Sequence, residues 1–231
     1  MLSQPITLKP TRSAIPPRAL DVPPQGRGTP LNNAFAVVGA AMTFDRNAEI
    51  FGEAEPAEFF YQVVSGAVRT HKMLEDGRRQ IGGFYLPGEV FGLEAGDEHG
   101  FGAEAVVRSV VRVAKRAVIL SMAERDAALA QALWRAAAGG LRAAQEHMLV
   151  LGRKTAEERV ATFLLDIARR ERSREIIELP MSRQDIADYL GLTIETISRT
   201  MTLLESEAAI ELPNARKVIV KNQGRLQALN D

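Results

Sequence analysis

The spacing of apolar residues changes twice along the chain, and each change marks a different kind of structure. From about Ala34 to Ile119 apolar residues come in short runs broken by Gly, Pro and Asp. Residues 59–66 form one run, residues 67–74 roughly alternate, and residues 79–86 return after Glu75-Asp76-Gly77-Arg78. Asp-Gly favours a hairpin because its central residues can take φ > 0. Pro87-Gly88-Glu89 breaks the chain before residues 90–93, and a further strand is expected over residues 103–113. Closely spaced strands predict a small antiparallel β-barrel or jelly roll. From Ser121 the spacing becomes three and four: Leu133, Ala137, Gly140, Leu141, Ala144, Met148 and Leu151 lie on one helical face. Ser121 with Glu124 reads as its capping box. About 30 helical residues span about 45 Å, which suits a dimerising coiled coil joining two domains. A long core helix packed on the barrel is the alternative.

A third pattern begins at Thr155. Thr155 and Glu158 make a second capping box, and Val160, Phe163, Leu164 and Ile167 give the next helix its apolar face. Residues 176–179 read as a short strand stopped by Pro180. Ser182 can cap a helix over residues 183–190, with Asp185 three residues on. Gly191 ends it, Leu192 plugs the turn, and Thr193 caps a helix from Ile194 to about Glu205. Ile197, Met201 and Leu204 form its buried face. Residues 209–212 and 217–220 flank Pro213-Asn214-Ala215-Arg216 as a wing hairpin. Short helix, glycine turn, capped helix and wing together predict a winged helix-turn-helix. The fold class is therefore α+β: residues 31–122 an antiparallel barrel, 123–152 a dimerisation helix, 153–231 a DNA-binding domain. Residues 1–30 carry seven prolines and no apolar period, so they read as an extended tail or an arm packed on the barrel.

Composition removes alternatives more than it adds them. The 231 residues hold 29 basic and 29 acidic side chains, so bulk charge gives no argument for nucleic acid and local geometry must carry it. No cysteine is present, which excludes disulfides, thiolate zinc and cysteine-held clusters. No apolar run is long enough to span a membrane and no signal peptide is visible, so a cytoplasmic protein without a membrane partner is expected.

The second helix of the turn motif supplies the chemistry. Arg199 can donate a bidentate pair to guanine, Glu195 can accept from cytosine, and Ser198 can contact base or phosphate. Ile194 and Thr196 face base or backbone. Ser182, Arg183, Thr193, Arg216 and Lys217 are candidates for phosphate. An i,i+4 ion pair between Glu195 and Arg199 is the bland alternative. The partners this implies are double-stranded DNA with a palindromic site, a second copy of the chain, and RNA polymerase.

Residues 87–92, the long helix, and residues 183–199 resemble the transcription factors related to the cyclic-AMP receptor protein and the fumarate–nitrate reduction regulator. Glu195-x-x-Ser198-Arg199 is similar to the oxygen-responsive branch, and to FixK-type regulators in particular. The resemblance covers about residue 35 to the end. It implies a cyclic-nucleotide-binding-like barrel and half-sites like TTGAT. It also implies activation of genes for low-oxygen respiration and nitrogen metabolism. In the cyclic-AMP branch an arginine–serine pair binds the nucleotide phosphate. Here residues 101–105 hold no arginine, and Glu104 repels phosphate. Arg108-Ser109 lies later along the strand. His71, His99 and His147 are scattered, without the spacing of a haem or cupin-like metal site. No cofactor and no enzyme activity are expected. A ligand-gated sensor of the same family is the alternative.

Overall fold

The computed structural model describes residues 28–171 and 175–230; the proline-rich tail expectation lies almost entirely outside them. The first element is a helix, α1 (Pro30–Val38), where strands were expected to begin. Thr29 accepts from the Asn32 amide and proline stands at its first turn, so the end of the proline-rich segment is a helix start.

Eight strands follow: β1 (Ala40–Phe44), β2 (Glu49–Phe51), β3 (Phe59–Ser65), β4 (Val68–Met73), β5 (Arg79–Tyr85), β6 (Val90–Phe91), β7 (Gly102–Ala105) and β8 (Ser109–Lys115). They form two four-stranded antiparallel sheets, ordered β1-β8-β3-β6 and β2-β7-β4-β5. The single strand expected over residues 103–113 is two, β7 and β8, one in each sheet. Residues 106–108 cross between the sheets, where a bend costs less than a strand leaving its ladder. The β4–β5 hairpin closes over residues 74–78. Gly77 takes φ 83° while Asp76 stays in ordinary space, so the expected tight turn with two positive φ values is a longer loop. Phe51, Tyr61, Val63, Val68, Phe91, Ala103 and Val111 fill the space between the sheets.

The expected single helix from Ser121 is broken. α2 (Arg116–Ala123) contains Ser121, and α3 (Ala127–Arg153) starts after Asp126, whose carboxylate accepts from the Ala128 and Leu129 amides. A carboxylate at the positive end of a helix is a stronger start than a serine one turn earlier. Leu129 and Leu133 lock the first turns of α3 against α1 and α2.

α4 (Ala156–Arg170) opens with the Thr155–Glu158 capping box, both bonds present. β9 (Ile176–Glu178), α5 (Arg183–Leu190), α6 (Ile194–Ser206), β10 (Ile210–Asn214) and β11 (Lys217–Val220) follow. A short helix that the sequence pattern did not reveal, α7 (Gln223–Ala228), closes the chain and buries Leu226. The order β10-β11-β9 makes the wing a three-stranded sheet. One apolar cluster joins α4, α5 and α6 to Ala67, Ile81, Phe84, Leu86 and Val106 of the barrel. The two halves therefore share a core.

Candidate nucleic-acid interface

Local sequence fixes the geometry of the two helices. Ser182 Oγ accepts from the Asp185 amide (3.1 Å), and Asp185 Oδ2 accepts from the Ser182 amide (3.0 Å) and hydroxyl (2.8 Å). Gly191 ends α5 at φ 61°, ψ 39°, the left-handed region that a Cβ disfavours. Thr193 Oγ1 then accepts from the Thr196 amide (3.2 Å) to start α6. Ile197, Met201 and Leu204 are buried, as their spacing predicts, against Val160, Leu164 and Ile167 of α4 and Ile186 of α5. That burial turns the other face of α6 outward.

Ile194, Glu195, Ser198 and Arg199 line one shallow open depression on that face. Thr196 lies beside them, half-buried. Glu195 is held below its ordinary pKa chiefly by its own backbone N–H, next by Thr193, and only last by the Arg199 charge. The carboxylate thus folds back onto the helix N-terminus, which favours negative charge. The simple i,i+4 ion pair is not how it is held. Ser198 Oγ donates to the Ile194 carbonyl (2.9 Å), a bond that a hydroxyl exchanges at little cost for an outside acceptor.

The phosphate candidates divide. Arg183 has a buried Nη1 without a partner among the described residues, and burial lowers its pKa. Arg216 is exposed at the wing tip and Lys217 is half-buried beside it. The Ser182 proton is committed to Asp185 inside the capping box. The Thr193 hydroxyl lies 3.1 Å from that of Thr196.

Arg159, which the sequence reading left out, ties the motif to the long helix. Its guanidinium donates to the carbonyls of Lys154 (2.9 Å), Leu151 (2.8 Å) and Leu190 (2.9 Å), satisfying the end of α3 and the end of α5 together. On α3 itself, Trp134, Ala137, Leu141, Ala144 and Met148 are exposed at spacings of three and four. Gly140 is exposed beside this stripe, Leu151 is half-buried at its end, and Leu133 turns away from it into the α1–α2 cluster. Trp134, absent from the sequence-derived stripe, stands seven residues before Leu141 and is exposed with it.

The comparisons fit this architecture. Residues 41–126 match the cyclic nucleotide-binding domain family, and residues 158–229 match the Crp-like helix-turn-helix domain family. A curated relative, the nitrogen fixation regulation protein FixK of Azorhizobium caulinodans, is 50% identical over 84% of this chain and 81% of its own. The chain belongs to the CRP/FNR family, in its FixK branch. FixK of Rhizobium meliloti is 43% identical over 81% of this chain and 85% of its own. The solved structure of FixK2 from Bradyrhizobium japonicum superposes with a TM-score of 0.81 at 50% identity, covering 84% of this chain and 98% of that one. Family members are transcription regulators, and so is this protein; it is not an enzyme.

The barrel of this family member has its interior occupied by rings. His99 stacks on Phe51 (3.7 Å between centroids), and Phe51 and Tyr61 (4.8 Å) and Tyr61 and Phe91 (5.1 Å) continue the cluster. Burial, with Glu55 and Glu94 nearby, pushes the Tyr61 hydroxyl up to about 12. Glu104 is held by Arg69 at 2.5 Å. Arg108 and Ser109 do not form an anion site. Arg108 is exposed, while the Ser109 hydroxyl is buried on the carbonyls of Ala67 (3.0 Å) and Val107 (2.8 Å). Among the described residues no group of three or more His, Asp or Glu is placed to hold a metal, and no helix is long and apolar enough to cross a membrane.

Proposed function

We propose that the protein is a homodimeric activator of nitrogen-fixation and low-oxygen genes that reads a TTGAT-like palindrome in the cytoplasm without a bound cofactor. One observation carries this reading: Glu195, Ser198 and Arg199 share one exposed patch on a helix whose opposite face is buried. Arg199 reads guanine, Glu195 accepts from a cytosine amino group, and Ser198 takes base or phosphate. Arg183, Thr193, Arg216 and Lys217 fix the register on phosphates. Ser182 serves the cap instead. The exposed stripe from Trp134 to Met148 pairs with its copy, so two α6 helices meet successive major grooves about 34 Å apart. RNA polymerase is the partner that an activator of this branch recruits. Packed rings in the barrel and the Arg69–Glu104 pair support the cofactor-free form over a ligand-gated one.

The test is a mobility-shift titration of the purified chain on a TTGAT palindrome and on copies altered at single positions. Binding should need both half-sites and no added small molecule. A requirement for a cyclic nucleotide, or indifference to the half-site sequence, rejects the reading.

A further inference from the structure

Away from the reading face, the feature left unexplained is buried charge where α5 meets the barrel. Asp185 is 5% exposed, and its Oδ1 faces Arg79 Nη2 at 2.6 Å and Arg69 Nη1 at 3.3 Å. Arg79 also reaches Asp188 Oδ2, Nη2 at 2.7 Å and Nε at 2.9 Å. Arg69 is itself 5% exposed and carries Glu104 on its other side. Nearby, Arg170 at the end of α4 grips Glu89 at 2.6 Å and donates to the Phe84 carbonyl. The Phe84 ring packs on Tyr189 (5.3 Å) and Phe163 (6.2 Å) between these bridges.

Apolar contact alone would tolerate sliding, because it has no direction. Buried ion pairs do not, because a small rotation leaves a desolvated charge unpaired. Their net gain in stability over an apolar contact is small, so the role they fit is setting a geometry. Asp185 is also the residue that closes the α5 capping box, so the arginines act on the start of the reading motif itself.

We propose that Arg69 and Arg79 are positioning residues, which hold the α5–α6 pair at one angle to α3 and so set the half-site spacing the dimer accepts. Neither touches DNA. This rests on the DNA-reading function above, and the test separates the two. Full-length Arg79→Gln, Asp188→Asn and the double variant are titrated on palindromes of the preferred spacing and of spacings one and two base pairs longer or shorter. Arg79 and Asp188 are only partly buried, and a thermal melt confirms that the variants fold. Each single variant should lose roughly tenfold in affinity at the preferred spacing, within the usual range of coupling between sites. The double variant should be no worse than either, and all three should discriminate less between spacings while keeping the same base preference within a half-site. If these residues act only through bulk charge on DNA, Arg79→Gln weakens binding, Asp188→Asn tightens it, and spacing preference stays. That pattern, or no change at all, overturns the proposal. If the wild-type chain ignores the palindrome, the reading function fails, and hydrogen exchange in the free protein decides the positioning role. Amides of residues 81–84 and 186–190 must then exchange faster together in both single variants; unchanged exchange overturns it.

Discussion

The proposed base reading turns on Arg199. It is exposed, it sits beside Glu195 and Ser198, and the Glu195 carboxylate draws most of its stabilisation from elsewhere. Its guanidinium is thus available for a planar, bidentate contact that lysine cannot copy. Arg199→Ala should weaken specific binding by about 1–3 kcal/mol and relax the preference at one base pair of each half-site. A titration showing equal affinity and unchanged preference would remove Arg199 from its role. His147 makes a different residue-scale argument. Its ring stacks on Tyr189 at 4.0 Å and 11°, and burial lowers its pKa from 6.5, against a hydrogen bond to the Tyr189 backbone that raises it. A group whose pKa is depressed by folding contributes stability that is complete above the unfolded value. That stability is lost as pH falls from about 6.5 through the lower folded value. Melting temperature should therefore drop between pH 7 and 5, and His147→Phe, which keeps a stacking ring and cannot titrate, should flatten that drop. An identical pH profile in the variant would mean that other groups set it.

Elements show what sequence can and cannot reveal. The capping boxes at Thr155 and Ser182 and the glycine stop at Gly191 were legible because each is local: the donor, the acceptor and the forced φ lie within four residues. Gly191 is a clean test of such a device. A Cβ there would meet its nearest neighbour, Leu151 Cδ2, at 3.5 Å, which is ordinary contact, so the penalty is the backbone alone. Gly191→Ala should cost about 1–2 kcal/mol of unfolding free energy, read from the midpoint of a denaturant titration, and a cost near zero would show that the turn relaxes. The elements that escaped were decided at a distance. Residues 103–113 have a strand-like pattern throughout, and only the pairing of β7 with β4 and of β8 with β3 splits them between sheets. Ser121 was the helix start the sequence pattern offered, whereas α3 starts after Asp126, with Leu129 packed against α1. α7 is short and shows no period, and it exists through burial of Leu226 in the domain core. In the candidate interface, the shared exposed face of Glu195, Ser198 and Arg199 was legible from their spacing, whereas the ties of Arg159 to the Leu151 and Leu190 carbonyls and of Asp185 to Arg69 and Arg79 depend on groups far along the chain.

At the scale of the whole molecule, burial separates two faces of the helix α3. One face, with Leu129 and Leu133, belongs to the barrel; the other, with Trp134 (73% exposed), Leu141 (63%) and Met148 (65%), is uncovered among the described residues. Large apolar side chains repeated every seven residues form a stripe that water penalises until a second helix covers it. Exposed small residues at Ala137 and Ala144 between them let that helix come close. The proposed palindromic target would need two copies of α6 held by one rigid joint, and Arg159, which bonds the ends of both α3 and α5, is placed to supply it. Leu141→Asp should then convert a dimer into a monomer of 25.3 kDa in sedimentation, with the helix content and melting of the single chain retained. DNA affinity should fall by at least as much as for Arg199→Ala, because both half-sites lose their tether. Arg142→Asp, one residue on and also exposed, should leave the dimer intact, since it lies off the seam. Leu133→Asp should instead lower the melting temperature, because its side chain packs on α1 and α2. If Leu141→Asp sediments as a dimer, or if Arg142→Asp dissociates it, the seam lies on a different face of α3.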